Sequence, residues 1–457
     1  MSRPHILAVP TPAQGHVIPL LEFSQCLVKH GFRVTFVNTE FIHKRVMDAL
    51  QEQNYIGDEN EIHLATIPDG FEPWEDRSDL GKLCEKTFTV MPGKLEELIE
   101  KINREEDEKI ICVIADGTAG FPIQVAEKMK IKKAAFWPAA AASLKLLYDT
   151  QNLIDDGVID NEGTPIKNQM IQLGQNMPVI HSSNLIWANI RQGLATQKKI
   201  FDFFYKITKA VNVADFLICN STYELEPEAF KSVPNILPVG PLLASNRQGN
   251  AAGNFWPEDS TCLKWLDQQQ PNSVIYVAFG SFTVMDKIQF RELALGLELT
   301  NKPFLWVVRR DIADNANEAF PEGFQDRVAK RGKMVGWAPQ QKVLSHPSIA
   351  CFFSHCGWNS TMEGLSNGLP FLCWPYFADQ FIDEGYICDI WKVGLKLNKD
   401  ESGLITREEI KSKLDQVLGD EQFKARALEL EETAMKSVQE GGQSNKTYNN
   451  FIEWIKA

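Results

Sequence analysis

No CxxC pair, no HExxH and no Asp-x-Asp occurs in this 457-residue chain, and its eight histidines are scattered. Zinc ribbons and metalloproteases need clustered ligands of those kinds, so both classes are excluded. A diphosphate bound here would rely on a helix dipole and hydrogen bonds, with no required divalent ion. The dinucleotide fingerprint GxGxxG and the P-loop GxxxxGK[ST] are also absent, which weighs against NAD and ATP sites. Without a Gly-x-Ser-x-Gly elbow, a serine hydrolase on an α/β frame is disfavoured. Positive charge is short as well: 47 Lys and Arg face 60 Asp and Glu, for a net charge of −13. Such a surface repels polyanions and is not built for nucleic acid or anionic lipid. Long apolar runs are missing too. The stretches Ala134–Leu144 and Gly364–Ala378 carry Pro and fall below the roughly 18 residues of a membrane span. The opening burst His5–Val9, cut by Pro10 and Pro12, is too short for a secretory core and reads as a buried strand. Nine Cys is an odd number, several of them inside apolar runs, so free thiols in a reducing, cytoplasmic setting are expected.

What the chain does contain is a repeated alternation of short apolar strands and helical stretches. His5–Val9 is followed by a Pro/Gly loop and then by Val17, Leu20, Leu21, Leu27 and Val28 at helical spacing. Gly31 ends that helix before the β-branched run Arg33–Asn38. Further buried strands are expected at Ile110–Ala115, Lys133–Phe136 and Phe216–Cys219. A second series is expected at Ser273–Phe279, Phe304–Val308, Met334–Gly336, Ala350–Ser354 and Leu369–Cys373. Strand–helix–strand crossovers imply doubly wound parallel sheets. The Gly/Asn/Ser-rich stretch 241–255 reads as a linker between a domain at 1–240 and another at 256–436. After it, Phe451, Ile452, Trp454 and Ile455 in the tail 437–457 need an apolar surface to dock on.

Ligands of open α/β sheets sit beyond the carboxyl ends of strands. In the first half, His16 follows the first strand and Asp116 follows Ile110–Ala115. Such a pair can act as a base and the carboxylate that orients it; a helix cap and a turn residue are the plainer alternatives. The second half is richer. His355-Cys356-Gly357-Trp358-Asn359-Ser360 follows a strand and reads as a turn into a helix capped by Asn, Ser or Thr, a ready anion site. Glu363 shares a helix face with Asn359 and Ser360 and suits a ribose diol better than a phosphate. Trp337-Ala338-Pro339-Gln340 offers an aromatic face for a base, the alternative for Trp337 being a core position. Ser281, after Phe279-Gly280, is a further candidate for a phosphate.

Taken together, the stretch from Trp337 to Gln380 closely resembles the 44-residue signature box of plant family 1 UDP-dependent glycosyltransferases. Pro12–Pro19 resembles the same family's catalytic-histidine loop. The resemblance implies a GT-B fold: two Rossmann-like doubly wound parallel-sheet domains facing across a cleft, the last helix packing back on the first. It implies that Trp337 stacks on uracil, Ala338 reads it through its backbone, and Gln340 and Glu363 hold the ribose. His355, Gly357, Trp358, Asn359, Ser360 and Ser281 would line the diphosphate, and Asp379 and Gln380 the sugar. His16 would be the base and Asp116 its partner. Phe88, Phe121, Trp137, Trp187, Phe204 and Tyr376 are candidate contacts for a hydrophobic acceptor. Pro138 stands where many members carry a Thr that touches the sugar. The implied activity is inverting transfer of glucose from UDP-glucose to a hydroxyl of a phenolic, flavonoid or terpenoid acceptor by a monomer with no cofactor. A C-glycosyltransferase of the same fold and a non-catalytic nucleotide-sugar binder are the alternatives; the latter has no use for a His–Asp pair.

Overall fold

The computed structural model describes residues 3–52, 62–190, 192–242, 254–309, 311–312 and 319–457. The chain forms two compact units. The first comprises Met1–Trp256, Phe377–Asp379 and Lys436–Ala457; the second comprises Pro257–Tyr376 and Gln380–Met435. Most of the expected linker, 243–253, lies outside the described residues.

In the first unit the strands are β1 (His5–Val9), β2 (Arg33–Thr39), β3 (His63–Ile67), β4 (Ile110–Asp116) and β5 (Lys132–Trp137). A small antiparallel pair follows, β6 (Met170–Gln172) and β7 (Val179–His181), then β8 (Phe216–Cys219) and β9 (Ile236–Pro238). Apart from the small pair, all seven are parallel, in the order β3-β2-β1-β4-β5-β8-β9. Helices cover both faces, so the central strands carry apolar residues without alternation. The two faces still separate by pleat. Ile6, Ala8, Cys112 and Ile114 belong to one core, and Leu7, Val9 and Val113 to the other. The C-terminal helix Gln443–Lys456 completes the first of these cores. Phe451, Ile452 and Ile455 are buried there, and the Phe451 ring lies 5.6 Å from that of Phe23 and 5.4 Å from that of Phe216.

The second unit contains β10 (Val274–Ala278), β11 (Phe304–Val307), β12 (Gly332–Val335), β13 (Ile349–Ser354), β14 (Phe371–Cys373) and β15 (Gly394–Lys396). They form a parallel sheet in the order β12-β11-β10-β13-β14-β15. Ile275, Val277, Cys351 and Phe353 feed one core. On the opposite face the rings of Tyr276 and Phe352 stack at 5.2 Å.

Both sheets therefore have a switch point, where consecutive connections leave a strand in opposite directions. It falls between β1 and β4 in the first unit and between β10 and β13 in the second. A crevice at the carboxyl ends of those strands is where this topology accepts ligands.

Candidate active-site residues in each unit

At the first switch point, Val9 of β1 lies in register with Ala115 of β4. The helix Gln14–Lys29 starts on the backbone of Ala13, whose carbonyl accepts from the N–H groups of His16 and Val17. His16 is thereby fixed in the first turn of the helix that follows β1. Its Nδ1 lies 2.8 Å from Oδ2 of Asp116, the last residue of β4. The carboxylate is fully buried, whereas 29% of the His16 side chain is exposed.

Asp116 is held from several sides. Oδ1 accepts from the Thr118 N–H at 2.8 Å and its hydroxyl at 2.7 Å, and Oδ2 accepts a longer bond from the Thr11 N–H at 3.4 Å. Gly117 makes this turn possible, because a Cβ there would lie 2.8 Å from Cε3 of Trp137. Burial of the His16 ring disfavours its cation, but the charge and hydrogen bond of Asp116, with the charge of Asp379, outweigh this and raise its pKa above 6.5. For Asp379, burial raises the carboxyl pKa, while the charge of His16 and a bond to its own backbone N–H pull it back. Asp379 reaches the first unit through its neighbour Ala378, whose N–H and carbonyl bond the side-chain amide of Asn189 at 2.7 and 2.9 Å.

At the second switch point, Ala278 of β10 is in register with Ser354 of β13. His355 follows Ser354, and its ring is set against two glycines. A Cβ at Gly280 or Gly357 would approach its Nε2 to 2.6 Å, and Gly280 has φ +66°. Cys356 takes φ +67°, an unusual conformation for a residue with a side chain, and so turns the backbone into the helix Trp358–Leu365. The expected side-chain cap is not found. The N-cap is Gly357, with no side-chain cap bond, and Asn359 and Ser360 lie inside the first turn. Their side chains are thereby directed to other partners. Burial pushes the His355 pKa down to about 4; a bond to the Ala278 backbone raises it and the Arg309 charge lowers it. The imidazole is therefore neutral at pH 7 and meets an anion as a hydrogen-bond donor, not as a cation.

Glu363 lies one turn further along. Its Oε2 accepts from Gln340 Nε2 at 2.7 Å, and its Oε1 accepts from Gln341 Nε2 at 2.8 Å and Asn359 Nδ2 at 3.1 Å. Gln340 also donates to Ser360 Oγ at 2.9 Å, and its Oε1 accepts from the Tyr276 hydroxyl at 3.1 Å. Because an ionised carboxylate only accepts, Glu363 fixes which end of the amide faces it, and the Tyr276 hydroxyl then donates to the other. Trp337 is partly exposed, while Ala338 is buried beside it. Trp358 is 3% exposed, its ring packed near Tyr386 and Trp391, so its own contribution to a ligand would come from the backbone. Ser281 is partly exposed after β10. Gln380 is 5% exposed, its Oε1 accepting from the Tyr376 N–H at 2.7 Å.

The aromatic acceptor candidates divide. Phe121, Trp137 and Trp187 are fully buried, and both indoles donate inward: Trp137 to the Ala140 carbonyl and Trp187 to that of Gly163. Phe88 and Phe204 are half-buried and both adjoin Phe203, at ring distances of 5.4 and 6.0 Å. Tyr376 belongs to the second unit, where its hydroxyl donates to the Val284 carbonyl. Sequence reasoning did not single out Thr11, Thr118, Tyr276 and Gln341. Among the described residues no group of three metal-ligating side chains is placed to hold an ion, and no helix is long and apolar enough to cross a membrane.

Two parallel α/β units, one with a His–Asp pair and the other with a glycine-lined turn into a helix, define a glycosyltransferase of the GT-B class. Residues 94–436 match the family described as UDP-glucoronosyl and UDP-glucosyl transferase, and the chain belongs to it, among the plant family 1 enzymes. It is 47% identical to UDP-glycosyltransferase 83A1 of Arabidopsis thaliana, over 100% of this chain and 98% of that protein. It is 32% identical to 7-deoxyloganetin glucosyltransferase of Catharanthus roseus, over 100% and 97%. A solved structure of a UDP-glucosyltransferase from Polygonum tinctorium capable of glucosylating indoxyl, in complex with 3,4-dichloroaniline, superposes with a TM-score of 0.83 at 27% identity, covering 100% of both chains.

Proposed function

We propose that this UDP-glycosyltransferase transfers glucose from UDP-glucose to a hydroxyl of a small hydrophobic acceptor, of phenolic, flavonoid or terpenoid type, with inversion at the anomeric carbon. The observation that carries the reading is the 2.8 Å contact of His16 Nδ1 with the buried Asp116 carboxylate. With its proton on Nδ1, His16 presents an Nε2 lone pair. The acceptor O–H gives its proton to Nε2 as its oxygen forms the bond to C1 of glucose. The C1–O bond to the diphosphate breaks, UDP leaves, and the α-linked donor yields a β-glucoside. Asp116 stabilises the imidazolium that forms.

In this reading Trp337 and Ala338 take the uracil, and Gln340 and Glu363 the ribose. His355, Ser281, Asn359, Ser360 and the backbone of Gly357 and Trp358 take the diphosphate. Asp379 and Gln380 take the sugar, and Phe88, Phe204 and Tyr376, all partly exposed, are the aromatic candidates left to meet the acceptor. Neutral donors at the diphosphate need no metal or other cofactor. Nine free cysteines suit a reducing, cytoplasmic setting.

The glucose assignment is supported by the names of the Catharanthus and Polygonum proteins, and a hydrophobic acceptor by indoxyl in the latter. An acceptor screen with UDP-glucose, read by mass spectrometry and by the anomeric coupling of the product, tests it. His16→Ala should abolish transfer while UDP still binds; full activity in that variant would remove the mechanism.

A further inference from the structure

The mechanism uses His16 and Asp116, but the hydrogen-bonded group they belong to is larger. Thr118 Oγ1 lies 2.7 Å from Asp116 Oδ1, 3.1 Å from His16 Nδ1 and 2.8 Å from Thr11 Oγ1. All four residues belong to the first unit.

The protons in this group can be placed by elimination. An ionised carboxylate only accepts, so the single hydroxyl proton of Thr118 goes to Oδ1. Its oxygen can then only accept, which orients the Thr11 hydroxyl as donor. Were Nδ1 of His16 unprotonated, its lone pair would face Oδ2 at 2.8 Å with no proton between them. Nδ1 therefore carries the proton, shared between Oδ2 and, at the longer distance, Thr118 Oγ1. Nε2 is left as the basic nitrogen. Oδ1 is gripped by two donors from Thr118, its N–H and its hydroxyl, so the carboxylate cannot turn about its last torsion without losing one.

Resting on the base mechanism proposed above, we propose that Thr118 is a positioning residue of this enzyme: its hydroxyl, backed by that of Thr11, locks the Asp116 carboxylate in the plane that holds His16 with Nε2 towards the acceptor. Thr118 is only partly buried, and Val matches its shape, so Thr118→Val removes the hydroxyl and little else. The charged groups facing His16 are Asp116 and Asp379, and both remain in that variant.

The test compares Thr118→Val, Thr118→Ser, Thr11→Val and His16→Ala for kcat, donor KM, UDP affinity by calorimetry and the pH profile of kcat/KM for a fixed acceptor. Thr118→Val should lower kcat about 5- to 30-fold, since small misplacements of a reacting group are costly, with donor KM and UDP affinity within twofold of wild type. Its acid limb should move to higher pH, because a carboxylate with one donor fewer keeps more charge for the imidazolium. Thr118→Ser should restore both, and Thr11→Val should fall between wild type and Thr118→Val. A Thr118→Val enzyme with wild-type kcat and acid limb, beside an inactive His16→Ala, overturns the role of Thr118 and leaves the base mechanism standing. Equal impairment of the Ser and Val variants also overturns it, by assigning the effect to packing. An active His16→Ala overturns the base mechanism and this inference with it.

Discussion

Replacing Asp116 by Asn removes one charge and keeps the shape, and the hydrogen bonds around the carboxylate decide what the amide does. Oδ1 faces the backbone N–H of Thr118 at 2.8 Å, a donor that cannot reverse. Oδ2 faces His16 Nδ1 at 2.8 Å and a Thr11 N–H at 3.4 Å. The amide oxygen must therefore take the Thr118 side, which turns the NH2 towards His16. The imidazole answers by accepting at Nδ1 and carrying its proton on Nε2, the tautomer with no basic nitrogen for the acceptor. Lost support for the imidazolium, a charge-assisted hydrogen bond of about 1.5–3 kcal/mol, accounts for about 10- to 160-fold in rate. Reversal of the tautomer adds to this, so Asp116→Asn should lower kcat by about 10²–10⁴-fold, the usual span of general base catalysis. Asp116 raises the His16 pKa, so the residual activity should show an acid limb displaced to lower pH. The assay is steady-state transfer from UDP-glucose to one acceptor between pH 5 and 9, with UDP affinity measured in parallel. A kcat within threefold of wild type would show that Asp116 is only a turn residue.

The other expectations concern the second unit. With a folded pKa of about 4 against 6.5 unfolded, His355 contributes stability that is complete above pH 6.5 and is lost as pH falls from there towards 4. Between pH 7.5 and pH 5 the loss is up to about 2 kcal/mol; denaturant titrations should show a His355→Gln variant losing correspondingly less, and equal losses would rule out a buried neutral imidazole. Transfer should continue in EDTA if, as proposed, His355, Asn359, Ser360 and the backbone of Gly357 and Trp358 hold the diphosphate by hydrogen bonds; a rate restored only by Mg²⁺ or Mn²⁺ would contradict this. Gln380, oriented by the Tyr376 N–H, should favour UDP-glucose over UDP-galactose. An axial hydroxyl would leave buried polar groups unpaired at about 1–3 kcal/mol, or about 5- to 160-fold in kcat/KM. Equal kcat/KM in a donor competition assay would show that Gln380 is not the selector.

The sequence discloses some parts of this molecule more readily than others, and the difference is physical. Strands buried on both faces, such as His5–Val9 and Ile349–Ser354, announce themselves as unbroken apolar runs. β3 does not, because at the sheet edge its first two residues are exposed. β9 and β15, three residues each, are shorter than any pattern that periodicity can resolve. Asp116 is legible because the end of a buried strand in a parallel sheet singles out the polar residue there, and His16 because it stands in the first turn of the helix that follows β1. A cap expected of Asn359, Ser360 or Thr361 turned out to be Gly357, because the left-handed Cys356 turns the chain before those residues are reached.

The residues that escape sequence reasoning are those whose chemistry comes only from their neighbours. Thr118 two residues after an Asp looks like ordinary turn chemistry, and Tyr276 looks like core within a run of Val and Ile. Each is defined by a bond across more than 60 positions, from Thr118 to His16 and from Tyr276 to Gln340. Asp379 shows the same limit on a larger scale: its segment stands at the very end of the Trp337–Gln380 stretch, yet Asn189 ties its neighbour to the first unit across 189 positions. A motif fixes which side chains are present at a site. How each is turned, and so which nitrogen of His16 is basic and which end of Gln340 faces Glu363, is decided by partners that no local pattern contains.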